Sequence, residues 1–385
     1  MPTPPLYIDT ADKLGALCES LAGAPWIALD TEFLREKTYF PKFCLLQIAA
    51  GEVVACVDPL AVEDLSPLLA ILLDPGVIKV FHSGRQDMEI FYHLCGKLPG
   101  PVFDTQLAAP LLGLAEQISY AGLVAELLGV NLTKSHSRTD WSHRPLSPEQ
   151  IRYAADDVIY LAQAYLAMLP RLERLNRLGW LDGDFAELAD PALYENPPAL
   201  AWQRIGGVYQ LKSKALSIVQ TLAAWREQTA RAQDLPRGWI LKDDALLDLA
   251  RQQPVDAEQL KLVRGIDERM ARRHGATICK LIQEAAARPP QALDGKARPS
   301  KKLVEQEALL DLLMAVVRLR AAQNTLNPAT LASRKDLEQL LDADPQARLA
   351  HGWRKTMVGD ELAAVLRGEL TVKIDAGRLF VTDNG

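Results

Sequence analysis

The stretch WIALDTEFLREKTYFPKFCLLQIA, residues 26–49, decides the reading of the fold. An apolar run ends on two carboxylates one residue apart, Asp30 and Glu32, and a second apolar run follows. Side chains alternate across a strand with period two, so these acids share a face. Like charges there repel unless something positive sits between them. A solvated strand end followed by a turn would account for one such pair, so the rest of the chain has to discriminate.

Around this stretch, short β-rich runs alternate with helical patterns. Residues 26–32, 43–49 and 53–58 read as three successive strands, the last two joined by a tight turn at Gly51-Glu52. Residues 64–74 have helical periodicity and lead into a buried strand, VIKVFH at 77–82. A helix from about Gly84 to Leu94 and a short strand, PVFDT at 101–105, come next, and Gly129 closes a helix opened at Ser119. A polar stretch then precedes a long helix, with Ser147 as cap, Pro148 in the first helical position and Gln150 completing a capping box. An antiparallel start followed by β-α crossovers predicts an α/β fold with a mixed sheet. Beyond about Gly206 strand signals vanish. Residues 211–290 read as several short helices, a Pro-rich basic segment follows, and a last helical unit spans about 303–372 before a small terminal hairpin at LTVKIDAGRLFV.

Composition keeps the chain among ordinary globular proteins: 385 residues, 49% hydrophobic, 24% charged. No apolar run approaches the roughly 20 residues that span a bilayer, and MPTPPLYIDT has neither a basic leader nor an apolar core, so no membrane or secretory segment is expected. Five cysteines without CxxC pairs point to reduced thiols in a cytoplasmic protein. The net charge of −6 is unevenly spread. Residues 1–210 hold 15 basic and 26 acidic residues, 211–302 hold 18 and 11, and 303–385 hold 10 and 12. An acidic first part beside a basic middle part suits a metal-using catalytic domain next to a polyanion-binding one.

Further acids complete a pattern. Asp87 falls in the first turns of the helix after the 77–82 strand, where sites gather in α/β sheets. Tyr153 and Asp157 stand at i and i+4 on the long helix and share a face, although helical spacing separates Asp156 from Asp157 only weakly. Asp104 reads as a cap for the helix after Thr105. Each acid alone has a structural explanation. Together they offer the hard oxygen ligands that Mg²⁺ or Mn²⁺ takes, and two such ions can activate a water and stabilise a leaving oxygen in phosphodiester hydrolysis.

LDTEF (29–33), HSGRQDMEIF (82–91) and YAADDVIYL (153–161) resemble the three exonuclease motifs of the DEDD superfamily, which has a ribonuclease H-like fold. The tyrosine four residues before the last aspartate marks the DEDDy branch; the histidine branch would want His at about position 152, which is Arg. REKTYFPKFCLLQI, DTQLAA, SYAGL and KSHSRTDWSHRPL are similar to the ribonuclease D family, and residues 215–250 resemble the HRDC domain that those enzymes carry. The resemblance implies a DEDDy 3′→5′ exonuclease domain over 1–205, an HRDC domain over 206–292, a linker over 293–302 and a second, divergent HRDC-like helical domain over 303–385.

It further implies that Asp30, Glu32, Asp87 and Asp157 hold two divalent ions, Mg²⁺ or Mn²⁺, and that Tyr153, helped by Glu32, orients the attacking water. Nucleotides would leave one at a time from a 3′ end as 5′-monophosphates. The expected partner is RNA with a single-stranded 3′ tail, tRNA precursors by analogy, bound by a monomer. Candidate substrate contacts are Thr31, Phe33, Gln47, His82, Lys134, Arg138 and Arg144, with Tyr39 beside them. Packing competes as an explanation for Tyr39 and His82, and loop bracing for Lys134, Arg138 and Arg144. Trp202, Trp225 and Trp239 are either stacking platforms for RNA or core. Two rivals remain: a DNA exonuclease with the same metal site, told apart by contacts to the 2′-hydroxyl, and a non-catalytic RNA-binding scaffold.

Overall fold

A computed structural model describes residues 4–132, 139–288 and 304–384. The chain separates into two compact units, one formed by residues 1–32, 44–190 and 301–385, the other by 33–43 and 191–300.

The first unit is built on a six-stranded sheet. In chain order its elements are β1 (Leu6–Ile8), α1 (Ala11–Leu21), β2 (Trp26–Leu34), β3 (Lys42–Ala50), β4 (Val53–Val57), α2 (Ser66–Leu72), β5 (Ile78–Phe81), α3 (Arg85–Cys95), β6 (Val102–Asp104), α4 (Thr105–Ala108), α5 (Tyr120–Leu128), α6 (Pro148–Arg174) and α7 (Asp182–Leu188). The strand order is β1-β4-β3-β2-β5-β6. β3 and β4 are antiparallel, while β1–β4, β2–β5 and β5–β6 are parallel. This is the mixed sheet with flanking helices that the strand and crossover pattern predicts, β1 being an additional edge strand. α6 starts as expected, with Ser147 accepting from the Gln150 amide and the Gln150 side chain accepting from the Ser147 amide. Its apolar stripe, Val158, Leu161, Tyr165 and Met168, packs with Ala28, Ala49, Val80 and Phe103 from four successive strands of the sheet. Burying such a stripe is what holds a long amphipathic helix on a sheet.

The second unit is helical, with α8 (Ser213–Gln233), α9 (Arg237–Ile240), α10 (Asp243–Gln252), α11 (Ala257–Lys261) and α12 (Glu268–Ala286). It has its own core, in which Trp202, Leu216, Val219, Leu222, Leu246, Leu249, Ile278 and Ile282 are buried together. The connector after β2 belongs to this unit. Asp234 accepts from the amides of Tyr39 and Phe40 at 3.0 Å each, and the Tyr39 hydroxyl pairs with Glu227 and Arg231.

The C-terminal segment contains α13 (Val304–Gln323), α14 (Pro328–Leu331), α15 (Arg334–Leu341), α16 (Gly352–Arg354), a π-helical turn at Lys355–Gly359, α17 (Asp360–Leu366) and a hairpin of β7 (Leu370–Asp375) and β8 (Arg378–Asp383). Its apolar residues Leu310, Leu313, Val316, Val317, Leu337 and Leu362 lie in the same core cluster as the sheet and α6. Arg177 ties the two parts together by donating to the carbonyls of Leu111 and Asn324. Trp180 and Trp353 stack with centroids 4.6 Å apart. All five cysteines are free thiols. No helix among the described residues is long and apolar enough to cross a membrane.

Candidate active site

The acids of the opening stretch meet the long helix. Asp30 and Glu32 project from the same face of β2, and with Asp157 of α6 they offer carboxylate oxygens that all lie within 4.8 Å of one another. The pocket around them is lined by Asp30, Glu32, His82, Tyr120, Tyr153, Asp157 and Leu161. Among the described residues no Lys or Arg is in that lining, so none of them balances the three carboxylates there.

Asp87 is not in this cluster or in the pocket lining, but its charge is felt by Asp30 and Glu32, and a turn that the local sequence dictates holds it nearby. Asp104 accepts from the amides of Ser83 at 3.1 Å and Gly84 at 2.8 Å, and from Gln106 and Leu107 at the start of α4, which confirms its capping role. Position 84 has to be glycine, because a Cβ there would stand 2.5 Å from the Phe81 Cβ. α3 then begins at once, and Asp87 is buried in its first turn. Its carboxylate accepts from the Thr31 hydroxyl on the opposite face of β2 from Asp30.

The electrostatics follow from crowding acids in a poorly solvated place. Burial pushes the Asp30 carboxyl well above its ordinary range, and repulsion from Asp87, Asp157 and Glu32 adds to this. Burial and the charges of Asp157 and Asp87 raise Glu32 to about 8. Burial with Asp156 nearby raises Asp157 to about 7. For Asp87 burial also dominates, against the Thr31 hydrogen bond, giving about 6. Tyr153 is pushed up to about 12 by burial and then by Asp157, Glu32 and Asp30, so it keeps its phenolic proton at neutral pH. Trp141 stacks against its ring, centroids 6.3 Å apart.

The substrate candidates divide. Thr31 holds Asp87, and Phe33 is half-buried at the end of β2. Gln47 is 0% exposed, too deep for a nucleotide to touch. His82 lines the pocket, but both ring nitrogens are engaged, Nδ1 with the Thr105 hydroxyl at 2.9 Å and Nε2 with the Ile118 carbonyl at 3.1 Å. Burial lowers its pKa, with Asp104 opposing, so the ring is neutral near pH 7. Arg144 braces the loop before α6: it grips Asp58 through Nε at 2.6 Å and Nη2 at 2.7 Å, and donates to the carbonyls of Cys44, Trp141 and His143. Burial alone would raise Asp58, but Arg144 and Tyr7 outweigh it and hold this carboxyl below its ordinary value. Lys134 and Arg138 lie outside the described residues. Tyr39 is committed to the helical unit, Trp202 is core, Trp225 is half-buried against His274, and Trp239 is 59% exposed.

Tyr120 is a pocket residue that sequence reasoning missed. Its hydroxyl donates to the Asp157 carbonyl, and its ring packs on His82. The available signal was its place directly after the helix cap Ser119.

Comparison with known proteins bears on this geometry. A 3′-5′ exonuclease family model matches residues 5–173 and an HRDC domain model matches residues 215–282. Ribonuclease D of Granulibacter bethesdensis is 38% identical over 99% of this chain and 97% of its own length. That of Sphingobium indicum is 40% identical, covering 98% of each. The chain belongs to the ribonuclease D family. The crystal structure of Escherichia coli RNase D, described as an exoribonuclease involved in structured RNA processing, superposes with a TM-score of 0.80 at 34% identity, covering 95% of this chain and 99% of that one. The catalytic core of RRP6 from Trypanosoma brucei gives 0.56 at 26% identity over 73% and 79%. As a ribonuclease D-type enzyme this chain is a 3′→5′ exoribonuclease, a hydrolase that depends on divalent metal ions. The described residues fit that requirement, since they are hard oxygen donors close together with no cationic side chain among those that line the pocket.

Proposed function

We propose that this enzyme trims the 3′ ends of structured RNAs, tRNA precursors among them, and releases nucleoside 5′-monophosphates. The observation that supports this most is the cluster of Asp30, Glu32 and Asp157 beside Tyr153 in one pocket. Asp30, Glu32 and Asp157, joined by Asp87, would hold two Mg²⁺ or Mn²⁺ ions. Bound there, the pair supplies the positive charge that activates a water and stabilises the leaving 3′ oxygen.

The chain's own residues do the rest. A phenol held near 12 is no base at pH 7, so Tyr153 keeps the proton on Oη and orients the attacking water by hydrogen bonding, with Glu32 accepting from that water. Thr31 fixes Asp87, and Tyr120 supports the backbone at Asp157. His82, neutral and anchored through both nitrogens, presents its ring edge to the terminal nucleotide. The domain reading that accompanies this assigns the exonuclease to 1–205, an HRDC domain to 206–292, a linker to 293–302 and a second HRDC-like unit to 303–385. The basic middle region contacts phosphates, which gives affinity without sequence preference. Its basic surface favours a long structured RNA with a single-stranded 3′ tail over a mononucleotide-sized ligand. We place the enzyme in the cytoplasm as a monomer.

The test is digestion of a 5′-labelled, 3′-extended tRNA and a matched single-stranded DNA with Mg²⁺, Mn²⁺ or EDTA, wild type beside Asp157→Asn. A metal-dependent ladder shrinking from the RNA 3′ end, absent in the variant, is expected. Preferential shortening of the DNA would move the substrate assignment, and binding of RNA without cleavage under either metal would leave only a scaffold.

A further inference from the structure

Gln47 occupies the middle of β3 with no exposure to solvent, and neither Nε2 nor Oε1 has a hydrogen-bond partner among the described residues. A buried amide with both ends unpaired is costly, and folded proteins rarely keep one without a use for it. Its surroundings show which way it points. Gln47 stands opposite Cys56 in the antiparallel β3–β4 ladder, and directly opposed residues project to the same face. The Cys56 thiol reaches the Ile151 carbonyl of α6, so that face is the one α6 covers. Ala49, two residues further along β3, packs in one cluster with Val158 and Leu161 of α6 and with Ala28 of β2. Asp30 follows Ala28 by two, and its carboxylate meets Asp157 of α6. β3 and β2 are neighbours in the sheet. The unpaired amide and the acid cluster therefore share one covered face on adjacent strands.

We propose that Gln47 is a positioning residue for the metal-binding carboxylates. The two are not bonded in the ion-free arrangement; when a divalent ion binds, the Asp30 carboxylate turns to accept from Nε2, and that bond holds it in the orientation that keeps the ion. Asp30 is the natural recipient, as a carboxylate accepts through two oxygens and a bound cation occupies only part of that capacity. The nucleotide never touches Gln47, so the residue acts through Asp30. This rests on the reading of the acid cluster as the metal site.

The experiment uses the full chain with Gln47→Met, which keeps the volume and removes both polar atoms, with Gln47→Leu as a second apolar replacement. Mn²⁺ affinity is measured by electron paramagnetic resonance and melting temperature in EDTA, followed by kcat and KM on RNA. The expected result is a melting temperature in EDTA equal to or above wild type, with Mn²⁺ affinity weakened about ten- to a hundredfold, the usual range for groups that orient metal ligands. kcat falls with KM for RNA unchanged. Wild-type Mn²⁺ affinity and kcat in either folded variant would overturn the proposal. Failure of both variants to fold would also overturn it, since it would make Gln47 a structural necessity. Asp157→Asn run alongside separates the two levels: if that variant still binds Mn²⁺ as wild type does, the metal site itself is misplaced.

Discussion

The middle and C-terminal helical regions look alike in sequence and differ in what they pack on. The middle helices close around their own core, with Leu222, Leu246 and Ile278 buried among themselves. Among the described residues the C-terminal helices form no separate core cluster: Leu310, Leu313, Val317 and Leu362 are buried together with the sheet and α6 of the nuclease. Similar size and helicity thus conceal one self-contained module and one that completes its neighbour. A helix acquires independence from having its apolar stripe covered by its own unit, which composition does not report.

Removing residues 304–385 attacks this contrast with the largest expected effect. The nuclease core would lose a wall, and the shortened protein should show no cooperative thermal transition and no RNA hydrolysis. Residues 197–288 expressed alone should still melt cooperatively as a helical domain. A stable, active 1–303 fragment would contradict this contrast. On a smaller scale, Leu313→Ala and Ile278→Ala each empty a fully buried site and should each cost about 2–5 kcal/mol. Leu313→Ala should lower the temperature at which activity on RNA is lost, whereas Ile278→Ala should lower the unfolding temperature of residues 197–288 by a similar amount. Equal effects of Leu313→Ala and Ile278→Ala on the nuclease would show that the two cores are not distinct.

Much of the site was legible because its signals are local. Period-two spacing placed Asp30 and Glu32 on one face, the i, i+4 relation paired Tyr153 with Asp157, and the Ser147 capping box fixed where α6 begins. The mixed sheet was readable from the order of strands and helices. What escaped depends on contacts distant in sequence. The partner of Arg144 is Asp58, 86 residues away, so bracing and phosphate binding could not be told apart beforehand. Thr31 and Gln47 differ in position by sixteen and sit in adjacent strands, yet only packing shows that one supports Asp87 and the other lies orphaned on the α6 face. The attachment of the C-terminal helices to the nuclease core is likewise a matter of tertiary packing that periodicity does not encode.

The smallest expected effect sharpens the role of the middle region. Arg269 and Arg273 of α12 line a pocket with the exposed Trp239. Replacing both arginines with alanine should weaken binding of a 3′-extended tRNA and lower the slope of log K against log salt by about 1 for each phosphate no longer neutralised. Hydrolysis of a short oligonucleotide should be unchanged. An unchanged salt slope would remove this face from the RNA path and leave it an ordinary solvated surface.

The crowded carboxylates repel one another and hold protons until a cation arrives. Carboxyls raised to about 7 and about 8, as Asp157 and Glu32 are, stay partly protonated in the folded protein at neutral pH. Ionising them without a cation costs stability as pH rises from their ordinary range near 4 through those values, and a bound cation must displace the protons. Calorimetric titration of the full chain with Mn²⁺ at pH 7, in two buffers of different ionisation enthalpy, counts those protons directly. Release of at least one proton per protein, with affinity climbing from pH 6 to 8, is the expected result. Binding without proton release and with affinity independent of pH would contradict it.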